Sequence, residues 1–198
     1  MQFIPNEVYH VYNRGNNKQK IFFTEGNYIF FRQKMCIQLK PYCDILAWCL
    51  MPNHFHFVLG ANEQSCNPRN SFGDKVVQEL SYRLGIMQSS YTQAINKQNG
   101  TSGSLFQNKT KAKILTGGKS NKGRPYLLNA IHYCHQNPWR ARLVNKIEEW
   151  PFSSFPDYCG LRDDDLCNKQ LFLELTGHSL DDFYKDSYGR IEGFDLEE

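Results

Sequence analysis

Two short apolar runs separated by Pro52-Asn53 restrict the fold of this chain more than any other feature. The runs cover residues 43–51 and 55–59. Short apolar runs bounded by turn residues are typical of buried strands. They therefore predict two neighbouring strands that meet in a hairpin-like or bulged joint.

The remaining periodicity predicts helices around these strands. Residues 8–12 are aromatic and β-branched, which predicts another strand, and the lysine-rich residues 105–115 are a further strand candidate. Apolar spacings of three and four residues predict helices over 25–40, 72–97, 126–136 and 166–176. The predicted fold class is α+β.

Asn137-Pro138 is predicted to end the helix over 126–136. A residue that precedes proline is pushed away from the helical conformation by the proline ring. Asn137 could then cap a following helix, with Pro138 at its first position.

Charge divides the chain near residue 150. Residues 1–150 carry 19 basic and 8 acidic side chains, whereas residues 151–198 carry 4 basic and 12 acidic ones. Eleven Lys or Arg and no Asp or Glu lie between Glu79 and Glu148. The overall charge of +3 is therefore a cancellation. A long cationic stretch followed by an anionic tail predicts a body that binds a polyanion.

Composition excludes several other classes of protein. The length of 198 residues, with 40% apolar residues, suffices for one domain with a sizeable core, or for one domain plus an appendage. Seven cysteines without a CxxC pair argue against a disulfide framework and a zinc ribbon. Apolar runs are too short for a membrane helix, and the first residues lack signal-peptide features. We therefore expect a cytoplasmic protein that does not associate with membranes.

His54 and His56 are the sharpest local feature. In a strand, residues i and i+2 point to the same face, so both imidazoles would lie on one side while Phe55 packs into the core behind them. Such a pair is half of a metal site, but two histidines do not specify a metal. The alternative is an edge strand whose histidines are ordinary polar surface residues.

Tyr133 is a candidate nucleophile. It lies four residues before Asn137, and the two would share a helix face if the helix runs that far. A tyrosine phenolate can form a covalent intermediate when a cation stabilises it. Alternatively, Tyr133 is an ordinary half-buried aromatic residue, and His132 and His135 are surface residues of the helix. His132 or His135 could instead be the base that takes the proton of the tyrosine.

Five segments, in this order, together resemble a known family. They are Tyr-His-Val-Tyr-Asn-Arg-Gly (9–15), Met-Pro-Asn-His-Phe-His (51–56), Gly-Ser-Leu-Phe-Gln (103–107), Tyr-Cys-His-Gln-Asn-Pro-Trp-Arg-Ala (133–141) and Trp-Pro-Phe-Ser-Ser (150–154). The order is similar to that of the single-tyrosine HUH transposases, closest to the REP-associated tyrosine transposases. The resemblance covers about residues 3–158.

The resemblance implies a ferredoxin-like or RNA-recognition-like fold. Residues 1–158 would form a nuclease domain with a central antiparallel sheet that carries the two histidines and has helices packed on it. Residues 159–198 lie beyond the resemblance, and their charge predicts an acidic C-terminal accessory segment. This segment could fold back over the cationic residues and compete with DNA.

The same resemblance implies a reaction. His54, His56 and Asn137 would hold a divalent ion, Mg²⁺ or Mn²⁺, and Tyr133 would attack a phosphate of single-stranded DNA. The expected product is a 5′-phosphotyrosine link and a free 3′-hydroxyl. Gln136 would replace Asn137 as a metal ligand if the helix ended early. Zinc is not excluded by this ligand set.

The cationic stretch then acquires a role in DNA binding. Alternating lysines over 109–113 would line one face of a strand, and further basic residues lie on the loop before the tyrosine helix. Such residues bind phosphates without reading base sequence. The predicted DNA-binding residues are Arg14, Lys109, Lys111, Lys113, Lys119, Lys122, Arg124, Arg140 and Arg142.

The expected function is that of a transposase: a metal-dependent endonuclease and strand transferase for single-stranded DNA with a hairpin. Two alternatives remain open. One is a relaxase or replication-initiator nickase, which would share the histidine pair. The other is a DNA-binding protein that descends from a transposase and no longer cuts. The protein is expected to be a monomer or a homodimer.

Overall fold

The structure, a computed structural model, describes residues 1–71, 75–116 and 123–191, except the side chains of 123–125. Its strands are β1 (Val8–Arg14), β2 (Asp44–Met51), β3 (His54–Gly60), β4 (Pro68–Asn70), β5 (Val76–Gln78) and β6 (Lys111–Ile114). Its helices are α1 (Glu25–Gln38), α2 (Glu63–Cys66), α3 (Glu79–Asn99), α4 (Gly123–Arg140), α5 (Phe155–Tyr158), α6 (Lys169–Thr176) and α7 (Leu180–Asp186). Short 3₁₀ helices cover Asn16–Lys18 and Ile147–Glu149.

The central sheet has the strand order β2-β3-β1-β6, and every neighbouring pair is antiparallel. Helix α1 connects β1 to β2, and α3 precedes β6, so the chain follows the βαββαβ path of the ferredoxin-like fold. Helix α2 and the β4–β5 hairpin are inserted between β3 and α3. The predicted α+β class with a central antiparallel sheet is confirmed.

The two faces of the sheet carry different helices. On one face, Phe31 of α1 packs against Phe55 and Phe57 of β3, with ring centroids 5.6 and 6.5 Å apart. On the other face lies α4, whose Cys134 thiol contacts the carbonyl of His56 at 3.6 Å. Because side chains alternate along β3, His54 and His56 face α4 while the phenylalanines face α1.

Two predicted element boundaries between the sheet strands are wrong. Residues 76–78 are strand β5 instead of the first turns of a helix over 72–97, and they pair with β4 in a two-stranded hairpin. Residues 72–74 lie outside the described residues. The strand predicted over 105–115 is limited to β6, because Leu105 and Phe106 are buried in a loop where only an isolated bridge joins Phe106 to Gly15.

Helix α4 continues past the predicted stop at Asn137-Pro138. Its last turn is secured by hydrogen bonds from the Asn137 side chain to the Tyr133 carbonyl (2.8 Å) and from the Ala141 amide to the Asn137 carbonyl (2.9 Å). Pro138 lacks the N–H that would bond the Cys134 carbonyl, and these two bonds hold the helix together around it. Asn137 is therefore inside the helix and does not cap a following one.

The described part of the acidic segment packs on the core. Phe172 of α6 and Phe183 of α7 are fully buried, and the Phe183 ring lies 4.8 Å from Tyr158 and 4.9 Å from His132. Burial is thus continuous across residue 158, where we predict the domain division. Among the described residues, all seven cysteines are free thiols, and no helix is long and apolar enough to cross a membrane.

Candidate active site on the central sheet

The two histidines of β3 lie side by side on the face that α4 covers. In the strand register, His56 is opposite Tyr12 of β1 and His54 is opposite Arg14. The imidazole centroids are 4.8 Å apart and the rings are almost perpendicular, at 89°. His56 is buried, whereas His54 is partly exposed. Two imidazoles at this separation can bind one ion.

Hydrogen bonds orient both imidazoles through Nδ1. His54 Nδ1 lies 2.6 Å from the Asn53 side-chain oxygen, and the Asn53 amide nitrogen donates to the carbonyl of Lys18. An amide oxygen only accepts, so His54 carries its proton on Nδ1 and its lone pair on Nε2. His56 Nδ1 lies 2.9 Å from His10 Nε2. His56 Nε2 is shielded from solvent and has no hydrogen-bond partner among the described residues, as expected of a metal-binding nitrogen.

Burial keeps the imidazoles of His10 and His56 neutral. Desolvation lowers the pKa of His56 well below its usual value, and His10, His54 and Arg14 lower it further. The pKa of His10 is lowered to about 3, first by burial and then by Lys113. Metal binding requires neutral imidazole, so both shifts favour the ligand form at neutral pH.

Tyr133 projects from α4 toward these histidines. Its ring centroid is 5.7 Å from that of His56 and 6.4 Å from that of His10. The helix is anchored by buried residues on either side of the tyrosine in sequence, Ile131 and Cys134, both of which are inaccessible to solvent. Tyr133 itself is only partly buried. The structure thus brings the candidate nucleophile beside the histidine pair.

Asn137 and Gln136 have different surroundings. Asn137 donates its amide nitrogen to the Tyr133 carbonyl, and its amide oxygen is the atom that suits a metal ion. Gln136 donates to the carbonyls of Ser187 and Gly189, at 2.8 and 2.9 Å, and so ties α4 to the segment after α7. Gln136 is therefore engaged away from the histidine pair.

His54 and His56 can hold a divalent ion only if oxygen ligands complete its coordination. Within the described ranges, no third His, Cys, Asp or Glu is placed to bind a metal ion together with His54 and His56. Two neutral imidazoles, the Asn137 oxygen and open positions for water or phosphate would complete a six-coordinate site. Such a site carries little negative charge, which favours an anionic substrate.

A cationic cleft opens beside the histidines. It has a volume of about 250 Å³ and is lined by His54, His56, Tyr12, Asn13, Arg14, Gln107, Lys109 and Lys111. None of these is a carboxylate, and none of the described residues after 150 lines the cleft. Arg14 Nε is buried there without a hydrogen-bond partner in the described part of the chain. The cleft therefore suits an anion such as phosphate.

The predicted DNA-binding residues differ in whether they line this cleft. Lys111 is opposite Tyr12 in the sheet, with its ammonium 5.5 Å from the tyrosine ring, and Lys113 is opposite His10 on the same face. Arg140 and Arg142 are exposed at the end of α4 and do not line the cleft. Lys119, Lys122 and the side chain of Arg124 lie outside the described residues.

His132 and His135 are buried, contrary to their interpretation as surface residues. His132 Nδ1 lies 2.9 Å from the Ser187 hydroxyl, and His135 Nε2 lies 2.7 Å from the Ser154 hydroxyl. Both belong to the interface between α4 and the C-terminal segment, because their ring centroids lie 4.9 and 5.8 Å from that of Phe183. These contacts engage both imidazoles away from the histidine pair.

Sequence reasoning missed the roles of His10 and Asn53. Asn53 directly precedes His54, so its position was a local signal. His10 was not recognisable, because its contact with His56 depends on the register between β1 and β3.

If His54 and His56 bind a divalent ion, His10→Phe should weaken Mn²⁺ binding by roughly tenfold, because outer-shell partners of metal ligands typically contribute 10–100-fold. Phenylalanine keeps the ring packing but removes the acceptor for His56 Nδ1. Titration followed by electron paramagnetic resonance measures the affinity. His10→Gln retains an acceptor and should keep most of it. Unchanged affinity in folded His10→Phe would show that this hydrogen bond does not orient His56.

His132 provides a pH test of the interface between α4 and the C-terminal segment. Its pKa is lowered to about 4, first by burial, then by His178. The unfolded chain therefore takes up the proton first, and stability falls as pH decreases from about 6.5 to about 4. When the pH falls from 7 to 5, the free energy of unfolding of His132→Asn should decrease by about 2 kcal/mol less than that of the parent protein. Urea denaturation at both pH values measures this difference, and equal losses would contradict it.

The fold and site together define a class: a ferredoxin-like sheet with a histidine pair, an adjacent tyrosine on a helix, and a cationic cleft. Among solved structures, the chain is similar to a REP-associated tyrosine transposase bound to a REP hairpin, with a TM-score of 0.55, 16% identity, and coverage of 78% of this chain and 80% of that chain. The resemblance seen in the sequence is thus confirmed for the fold.

A second solved structure is less similar. It is a bacterial tRNA(His) guanylyltransferase-like protein in complex with GTP, with a TM-score of 0.46, 8% identity, and coverage of 72% of this chain and 67% of that chain. No protein-family model matches the sequence, and no curated protein matches it.

Proposed function

We propose that this protein is a metal-dependent endonuclease and strand transferase for single-stranded DNA, with Tyr133 as its nucleophile. The observation that carries the proposal is the position of the Tyr133 ring, 5.7 Å from the buried His56. The cationic cleft supports it, since Arg14, Lys109 and Lys111 line the cavity that contains both histidines.

The proposed step is an exchange of one phosphodiester bond for another. The Tyr133 hydroxyl oxygen attacks the phosphorus atom and loses its proton, the bond from phosphorus to the 3′-oxygen breaks, and that oxygen takes up a proton. One DNA end becomes a 5′-phosphotyrosine ester and the other a 3′-hydroxyl. Attack of a 3′-hydroxyl on the ester reverses the step and joins strands.

The residues around Tyr133 have separate tasks in this step. Arg14, Lys109 and Lys111 would hold the DNA phosphates in the cleft. Mg²⁺ or Mn²⁺ held by His54, His56 and the Asn137 oxygen would polarise the phosphate and stabilise the developing charge. A tyrosine hydroxyl ordinarily has a pKa of about 10, so electrostatic support of the phenolate is needed near neutral pH.

The DNA substrate is proposed to contain a hairpin. The solved structure to which this chain is similar is described as a transposase bound to a REP hairpin. We extend that substrate class to this protein because its cationic cleft contains both histidines and is suited to a phosphate. Palindromic sequences next to the reading frame are the first oligonucleotides to test.

Covalent capture tests the proposed function. Hairpin oligonucleotides labelled at the 3′ end should, in Mg²⁺ or Mn²⁺, migrate with the protein on a denaturing gel, because the 5′-phosphate fragment becomes attached. Label at the 5′ end should instead appear in a shorter free fragment. Fully double-stranded versions serve as controls. Binding without any adduct would instead favour a DNA-binding protein that no longer cuts.

A further inference from the structure

A second groove continues from the cationic cleft and differs from it in charge. It has a volume of about 480 Å³ and shares Asn13 and Gln107 with the cleft. Its walls are α3 and the loop over 103–110. All of its lining residues have uncharged side chains, and most of these are amides or hydroxyls. We call it the amide groove.

The floor of the amide groove is a closed hydrogen-bond network. Asn13 donates to Gln88 Oε1 at 2.7 Å and to Thr110 Oγ1 at 3.1 Å. Gln88 donates in turn to Thr110 at 2.9 Å and to the Leu84 carbonyl at 3.0 Å. The Asn13 oxygen accepts from the Arg14 amide. This network joins α3 to the end of β1, so the groove is held rigidly against the strand that carries Arg14.

The rim of the amide groove is available to a ligand. Ser89, Gln93 and Asn108 are exposed there, and their side chains form no hydrogen bond within the described part of the chain. Together they offer both donors and acceptors.

Gly85 is an independent sign of a ligand. It lies inside α3 and lines the groove, although glycine destabilises a helix interior relative to alanine. A Cβ atom at this position would meet nothing within 4 Å, so packing within the described chain does not require glycine. A glycine on a groove wall lets a ligand approach the helix backbone closely.

We propose that the amide groove binds unpaired nucleobases of the strand whose phosphate occupies the cationic cleft; this rests on the proposed function. The lining residues include no Lys or Arg, so the groove is unsuited to phosphates, whereas amide and hydroxyl side chains match the donors and acceptors of base edges. Because the two cavities share Asn13 and Gln107, the bases next to the bound phosphate lie at the groove. The cleft holds the backbone and the groove selects the sequence.

A random pool of single-stranded 20-mers tests this division. The pool is bound to the protein, the retained DNA is sequenced, and affinities for the enriched sequence and the unselected pool are measured by fluorescence anisotropy. The parent protein should enrich a short sequence. Gln93→Ala should weaken binding of that sequence by about fivefold, the size of one hydrogen bond. Gly85→Leu, which fills the groove, should weaken it by about tenfold or more.

Matched variants separate the groove from the cleft. Gly26, an exposed glycine in α1, and Gln170, an exposed glutamine in α6, are remote controls. Gly26→Leu and Gln170→Ala should leave the preference unchanged. Lys111→Ala should weaken binding to both DNA samples equally and keep the preference.

Each outcome decides between the two proposals. The groove proposal is supported if Gly85→Leu and Gln93→Ala lose the preference for the enriched sequence. Their binding to the unselected pool should stay within about twofold of that of the parent protein. An intact preference in both variants, or no preference in the parent protein, overturns the groove and leaves the proposed function standing. Failure of the parent protein to retain any single-stranded DNA overturns the proposed function as well.

Discussion

Tyr133→Phe should abolish the covalent protein–DNA adduct and leave DNA binding within about twofold of the parent protein, since only one polar group is removed. Phenylalanine preserves the ring that packs 5.7 Å from His56 but lacks the attacking oxygen. Without that oxygen no phosphotyrosine ester can form, so the loss should be complete. The measurement is the denaturing gel with 3′-labelled hairpin DNA, combined with anisotropy for binding.

Tyr126→Phe is the matched control for this substitution. Tyr126 lies on the same helix, is buried, and has Lys113 above its ring at 5.9 Å. Its variant should keep forming the adduct. An adduct that persists in Tyr133→Phe would show that another residue attacks the DNA, and equal loss in both variants would indicate a structural effect.

His54→Ala should reduce Mn²⁺ affinity and metal-dependent cleavage by two orders of magnitude or more, since it removes a direct ligand where even an outer-shell change costs 10–100-fold. His54 is partly exposed, so the alanine variant should remain folded. Electron paramagnetic resonance of Mn²⁺ reports on the ion, and the gel reports on the adduct. Both readouts should fall together.

His56→Ala is a less clean test of the same site. It should also weaken Mn²⁺ binding, but it removes the buried hydrogen bond between His56 Nδ1 and His10 Nε2 and therefore destabilises the fold by about 1–3 kcal/mol. His178→Ala controls for the loss of a histidine elsewhere, because His178 pairs with Asp186 in the C-terminal segment. Mn²⁺ affinity that survives in folded His54→Ala would contradict the metal assignment.

Most of the fold was predictable because its signals are local. The period-two pattern of β3 placed both histidines on one face, and the periodicity of α1 located that helix to within about two residues. Prediction failed where distant contacts override local preference. Residues 76–78 pair with 68–70 as strands, and α4 runs through Pro138 because side-chain and amide hydrogen bonds complete its last turn.

The candidate site shows the same division. Its chemistry could be read from single residues, since the histidine pair, the tyrosine and the lysines each stand in a recognisable pattern. Their proximity could not, because His56 and Tyr133 are 77 positions apart and meet only when α4 packs on the sheet. The surroundings of Gln136 also depend on packing, since its amide nitrogen donates to the carbonyls of Ser187 and Gly189.

By itself, the sequence determined the strands around Pro52-Asn53, the common face of His54 and His56, and the separation of a cationic body from an acidic segment. Only the tertiary structure decided that His10 supports His56, that the described acidic segment packs against α4 instead of lining the cleft, and that an amide groove adjoins the cleft. The physical reason is that strand register and helix packing join residues remote in sequence, whereas periodicity and charge act between near neighbours.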